Sequence, residues 1–450
     1  MKKIKLGAAT GWSRDRFGPA EDLVKHGNLD YLCFESMSEV TMSEAQVKKV
    51  DDPNTSGYDP YLVDRLGPIL KECKEKGIKI ISNQGWINPE GAAEKILEVA
   101  QSQGINNLKV AAVNGGILTD NITDLAFAFL EDGESISDYK DDIVSAEAYL
   151  GAEGIVDALK NEADVIVTTR VGDACLYLGP LAYEFDWDFD HYDAIAKGMV
   201  VGHLMECACQ ITGGYFSDPG YKHVPNPGEL GHPIAEVSED KIYITKLSNT
   251  GGVVSTETCK EQLLYEVQDP ANYLCPDVVA DFTKVSFLDA GKDRVEVICH
   301  EGVGRPKTGA LKVLVGLKEG YLAEEMMLFA GPGARERSEV AKSILINRFE
   351  QISLRPKEMR WDYLGVNSVH REASSSLEET PYELILRVAL KTESLHDAEK
   401  LRKEIDPMAV NGPSGTGKWG PMGNRVRPII GLRSVLVPEE EAPTAVVYRE

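Results

Sequence analysis

At 450 residues, with 43% hydrophobic and 27% charged side chains, the chain has the makeup of a globular protein and the length for roughly two to four folded units. Its formal charge of −24 excludes sequence-independent binding to nucleic acid or to an anionic membrane surface, since both need a basic field. No window approaches the ~18 apolar residues of a membrane span, and MKKIKLGAATGW fits a first strand better than a secretory signal, so a cytoplasmic protein is expected. The eight cysteines are scattered without a Cys-x-x-Cys pair and are read as reduced thiols with no structural zinc.

The first two hundred residues alternate strand and helix. KIKLGAA reads as a buried strand, AEDLVKHG as a short helix and LDYLCFES as a strand. YLVDRLGPILKECKEKG has apolar residues at helical spacing and leads into the strand IKIISN. The helix AAEKILEVAQSQG then precedes the strand NLKVAAV, and the helix GAEGIVDALKNEA precedes DVIVTTR. That order predicts an α/β fold with a parallel sheet flanked by helices, in which ligands sit beyond the carboxyl ends of the strands.

After Gly213 the pattern changes to antiparallel-looking strands, DKIYITKL and DRVEVICH, with helices TCKEQLLYEV and SEVAKSILINRFEQI. The small, polar run ASSSLEETP reads as a linker. Beyond it YELILRVALKT, HDAEKLRKEI, a Gly-rich loop and PIIGLRSVLVP make a small βαβ-type module. The expected division is therefore an α/β domain over 1–212, a second mixed α/β domain over 213–372, a linker over 373–380 and a small α+β module over 381–450.

Four constellations carry candidate chemistry. In VGHLMECACQITGGYF, a helix over 198–211 would set His203, Glu206, Cys207 and Gln210 toward one face. They read as a ligand-facing polar helix with Glu206 transferring a proton and His203 orienting it, as a Cys207–His203 nucleophile and base, as a metal pair, or as plain core. Glu206 is the strongest single candidate, because a carboxylate between apolar turns is costly to bury unless it is paired or used. In TTRVGDA, Arg170 and Asp173 follow a strand: either Arg170 anchors a substrate carboxylate or phosphate, or the two residues pair with each other. FESMSEV puts Glu35 and Glu39 at a strand end, GWSRDR puts Arg16 at another, where it could hold substrate or pair with Glu39, and Asn83 with Gln84 supplies neutral donors. In LSNTGGVVST, Thr250, Gly251 and Gly252 could aim backbone N–H groups at an anion, helped by Lys246, or form a plain turn.

GPSGTGKWG matches G-x-x-x-x-G-K but has Trp419 where magnesium binding needs Ser or Thr, so it is not read as a nucleotide loop. The long loop over 411–427, with Lys418, Arg425 and Arg427, is expected instead to close over a site and to help bind an anionic substrate.

Many stretches together resemble the acyclic terpene utilisation family, AtuA. They include GWSRDR, FESMSEVT, GYDP, AYLGAEGIVDAL, TTRVGDA, GHLMECACQITGGYF, TGGVVS, EQLLYEVQDPANYLCPDVVADF and NGPSGTG, and the likeness spans nearly the whole chain. The resemblance implies an α/β N-terminal region, a ferredoxin-like C-terminal module and a place in the breakdown of branched acyl-CoA compounds. Gln84 and Trp86 in SNQGWINP and Arg14 in GWSRDR depart from the pattern by adding bulk or charge beside strand ends.

The expected function is that of a catabolic, lyase-type enzyme acting on a small carboxylate or acyl-CoA by acid/base chemistry: hydration, dehydration or C–C cleavage. Glu206, His203, Asp173 and Glu35 would form its catalytic group. Arg170, Asn83, Arg16, Thr250, Gly251, Gly252, Gln210 and Arg427 would form its binding group. The alternative is a non-catalytic subunit beside acyl-CoA carboxylation. The sequence calls for no cofactor, a divalent metal being the less favoured alternative, and a homo-oligomer is expected.

Overall fold

The computed structural model describes residues 2–125, 127–374, 381–420 and 426–450, with the side chains of 50 and 51 left aside. The chain forms two compact units: Met1–Val315 together with Leu432–Glu450, and Gly316–Gly431.

In the first unit a parallel centre of five strands runs in the order Lys3–Gly11, Tyr31–Glu35, Lys79–Ser82, Val165–Thr168 and Val110–Gly115. Their runs of apolar residues fit burial on both faces. The helices Gly18–His26, Pro89–Ser102 and Glu153–Lys160 supply the crossovers that parallel pairing requires. One expected crossover helix is divided into Leu62–Leu66 and Leu70–Lys76. Between them lies Gly67-Pro68; proline lacks the N–H that would continue the ladder and restricts the residue before it.

The antiparallel strands extend this same sheet, which corrects the division expected at 212/213. Pro233–Ser238 pairs antiparallel with Lys3–Gly11, and Ile242–Lys246, Arg294–Cys299 and Val285–Asp289 follow outward. At the other edge Thr444–Arg449 pairs with Val110–Gly115. Both edges of the parallel centre would otherwise present unpaired backbone groups, and these strands satisfy them.

The second unit has the element order β-α-β-β-α-α-β-β and begins well before residue 381. The end of Ala310–Ala330 pairs antiparallel with Glu383–Thr392, which pairs with Glu358–Leu364, while Arg427–Pro438 also pairs with Ala310–Ala330. The helices Ala334–Gln351 and Leu395–Ile405 bury Ala341, Leu345, Phe349, Ala398 and Leu401 against the apolar face of that sheet. The expected loop over 411–427 is in part a strand: Gly417–Trp419 pairs with 326–328, and Lys418 pairs with Asp406 within its own unit. Arg425 and most of the expected linker lie outside the described residues.

One close approach in the first unit fixes where the chain turns after residue 205. A Cβ on Gly11 would lie 2.6 Å from the carbonyl carbon of Cys207 and 2.7 Å from its oxygen, so the strand end and the 206–207 turn touch backbone to backbone. Gly11→Ala is therefore expected to cost about 1–3 kcal/mol, the usual range for overpacking, because backbone atoms cannot rotate aside. Denaturant titration measures it, and an unchanged midpoint would show that this contact is loose.

Candidate active site

The carboxyl ends of the parallel strands open onto a cavity of about 540 Å³. Five expected site residues line it: Glu35, Arg170, Asp173, Glu206 and Gln210. Six carboxylates reach the cavity, those of Asp15, Glu35, Glu39, Asp173, Glu206 and Glu266, whereas Arg170 is its one basic lining residue among those described. A second, apolar chamber of about 380 Å³ shares Asp173 and Glu206 with the first and is otherwise lined by residues such as Leu130, Met199, Leu274 and Leu311.

Glu206 ends a helix rather than sitting within one. The helix is Tyr192–Met205, and its close crossing at Gly202, where a Cβ would meet Ala174 O at 2.3 Å, brings the 206 turn beside Asp173. The expected helix over 198–211 breaks because Ala208 sits at φ +43°, outside helical backbone. His203 Nδ1 lies 2.9 Å from Glu206 Oε1, and Nε2 lies 3.2 Å from the carbonyl oxygen of Leu263. With an acceptor at each nitrogen, the imidazolium is the form that donates to both. Burial alone would lower the pKa of His203, but the Glu206 carboxylate and these two hydrogen bonds raise it above the ordinary value. The ring also lies 5.1 Å from those of Tyr273 and Phe282. His203 lines neither space, and its two nitrogens face Glu206 and Leu263 O.

Glu35, only 7% exposed, is held through one oxygen. Met37 N donates to Oε1 at 2.8 Å and Asn83 Nδ2 donates to the same atom at 3.1 Å, leaving Oε2 for a proton. Burial and then the nearby Asp173 raise its pKa well above the carboxylate range, and Arg170 opposes them. Asn83, fully buried, spends its amide on Glu35 and on Ser36 N. Withdrawal from bulk water, opposed by Arg170 and reinforced by Glu206, pushes the Asp173 carboxyl up to about 6. In Glu39 burial acts upward, but Arg170 and the Tyr149 hydroxyl outweigh it and the pKa falls below the ordinary value.

The structure realises the internal pairing of Arg170. Its Nη1 donates to Met37 O at 2.6 Å and to Asp173 Oδ1, its Nη2 to Asp173 Oδ2 at 3.3 Å, and its guanidinium lies 4.1 Å over the Tyr149 ring. Both terminal nitrogens are engaged inside the protein, while Nε is buried without a hydrogen-bond partner among the described residues. Arg170→Lys is expected to cost about 2 kcal/mol of stability, less than the 3–5 of an abolished buried pair because the charge stays, with little change in KM. A raised KM at unchanged stability would return Arg170 to the ligand.

Other expected binding residues fall elsewhere. Arg16 is exposed, donates to Gly228 O at 2.9 Å and makes no pair with Glu39. Thr250, Gly251 and Gly252 border a separate cavity, and their N–H groups donate to Leu247 O, Glu229 O and Pro225 O, which leaves no ring of free donors for an anion. Lys246 is turned to Thr250 O and Asp293. Arg427 is exposed at the start of its strand in the second unit. Burial and then Glu206 push the Cys207 thiol up, against a resting thiolate nucleophile. Among the described residues no group of three or more His, Cys, Asp or Glu is placed to hold a metal ion.

Sequence reading missed Tyr149, whose hydroxyl meets Glu39, and the aromatic residues Trp12, Tyr215 and Tyr265 that line the same cavity. The Gly-Gly before Tyr215 was the available signal, since it marks a turn at the end of the polar segment.

No curated protein and no solved structure matched the chain. A family model for the acyclic terpene utilisation family protein AtuA matches residues 4–448, and with that match added to the shared motifs, the chain belongs to this family.

Proposed function

We propose that the first unit is an acid–base enzyme of the lyase type, with Glu206 as general base and Glu35 as general acid. The observation that carries this is the sidedness of the two carboxyl groups: partners occupy Oε1 of Glu35 and Oε1 of Glu206, so the other oxygen of each is left to act, and both residues line one cavity. Burial pushes Glu35 toward its neutral form, as suits an acid, while Glu206 Oε1 faces His203 Nδ1 at 2.9 Å. In a dehydration, Glu206 Oε2 would take the proton from the carbon beside a carbonyl. The C–O electrons would leave with the hydroxyl, and Glu35 Oε2 would protonate it to water; hydration is the reverse.

The substrate reading is an acyl compound with a neutral carbonyl head and a hydrocarbon tail. The apolar chamber next to Asp173 and Glu206 supports the tail, and so does the family's description. The surplus of carboxylates and the commitment of Arg170 favour a thioester carbonyl over a free carboxylate. The test is deuterium exchange from solvent into the α-carbon of a panel of branched and straight acyl thioesters. Exchange catalysed by the wild type and lost in Glu206→Gln supports the reading; no exchange with any member of the panel counts against it.

A further inference from the structure

We infer that the mouth of the polar cavity is a stacking site for an uncharged ring that presents an apolar face, carried on a part of the ligand that does not react. This rests on reading the cavity as an acid–base site, but the observations behind it are separate. Three aromatic side chains from three distant segments line the cavity: Trp12 just past the first strand, Tyr215 in the loop after Gly214, and Tyr265 just past the helix Thr256–Leu264. Trp12 is 49% exposed and Tyr215 is 90% exposed, so they stand at the opening and contribute little to the core. The Tyr215 and Tyr265 rings meet edge to face with centroids 6.2 Å apart.

Tyr215 is held at φ +63°, backbone that a bulky aromatic residue seldom adopts, and Glu266, next to Tyr265, is at φ +58°. Such conformations persist where the surroundings over-determine them, and they gather at ligand clamps. Folding gains little from a strained and solvated tyrosine. A ring laid on it would cover the apolar faces that the free protein leaves in water.

The charges around the opening select which ring. Asp15, Glu39 and Glu266 line the cavity, while the Arg14 guanidinium, 5.8 Å from the Trp12 ring centroid, is paired with Glu44 at 3.5 Å; aromatic faces are themselves negative, so a phosphate or carboxylate is disfavoured while N–H or O–H donors on the ring find acceptors. An amino-bearing nucleobase and the face of a sugar both have that chemistry.

Calorimetric titration of the intact chain with adenosine, with methyl β-glucoside and with AMP tests the assignment. Adenosine or the glycoside should bind saturably, and AMP at least about tenfold more weakly than adenosine. Tyr215→Phe should keep the affinity. Tyr215→Gly, which removes the ring and relieves the backbone, should lose about tenfold, in the range of one aromatic–base stack, without loss of thermal stability. Glu206→Gln should bind the ring normally, so failure of the catalytic reading would leave this result standing. Preference for adenosine or for the glycoside identifies the ring as base or sugar. Absence of saturable binding by both, AMP binding as tightly as adenosine, or unchanged affinity in Tyr215→Gly would overturn the inference.

Discussion

Glu206→Gln is expected to lower turnover about 10²–10⁴-fold, the usual worth of a positioned general base, in a protein that still folds. The amide is nearly isosteric, and its oxygen still accepts from His203 Nδ1. Its nitrogen replaces the free oxygen and takes no proton. The substitution also acts on His203, whose pKa is raised chiefly by this carboxylate against the opposing effect of burial. A histidine with a raised native pKa contributes stability that is fully present below about pH 6.5, its unfolded value, and that is lost as pH rises through the native one. The stability gap between wild type and variant should therefore be widest on the acid side of that window and should narrow above it. Thermal unfolding across pH measures the gap, and kcat measures the chemistry. Normal turnover in a folded variant would remove Glu206 from the mechanism.

Much of this site was legible because strand-end position is a local property. The alternation that located the strands Tyr31–Glu35 and Val165–Thr168 also located Glu35, Arg170 and Asp173 at their carboxyl ends. Glu206 stood out because a carboxylate beside the buried Met205 and Leu204 needs a partner, and His203 is that partner. The same local reading could not decide between a ligand and a neighbour for Arg170. Both use the same fork, and the choice depends on Met37 O and Tyr149, which come from other segments of the chain.

Long-range pairing was the other hidden quantity. DKIYITKL looks like part of a new antiparallel domain until its pairing through Pro233–Ser238 to Lys3–Gly11 is known, and Thr444–Arg449 gives no sign that it pairs with Val110–Gly115. The loop Thr250-Gly251-Gly252 misled for a related reason. Gly-rich backbone suits an anion nest or a tight turn equally, and the distant acceptors Glu229 O and Pro225 O decide for the turn.

Glu35→Gln should match the Glu206 variant in loss of rate, about 10²–10⁴-fold in kcat, but differ from it in pH dependence. The glutamine oxygen can accept from Met37 N and Asn83 Nδ2 as Oε1 does, and its NH₂ can donate a hydrogen bond where the acid proton stood, so KM should change little. What disappears is the transferable proton. In the wild type the proton is kept on Glu35 by burial and by the neighbouring Asp173, and it is lost only well above the usual carboxylate range. Activity should fall on the alkaline side as Glu35 ionises, and the residual activity of the variant should lack that limb. Stability should move in the matching direction. A carboxyl with a raised native pKa stabilises the fold fully below its unfolded value and loses that contribution as pH rises through the native one, so the uncharged glutamine should gain on the wild type toward alkaline pH. If Glu35→Gln instead kept both full turnover and the alkaline limb, the proton would have to come from another carboxyl. Asp173 is the next in line, because it shares the cavity and is raised to about 6.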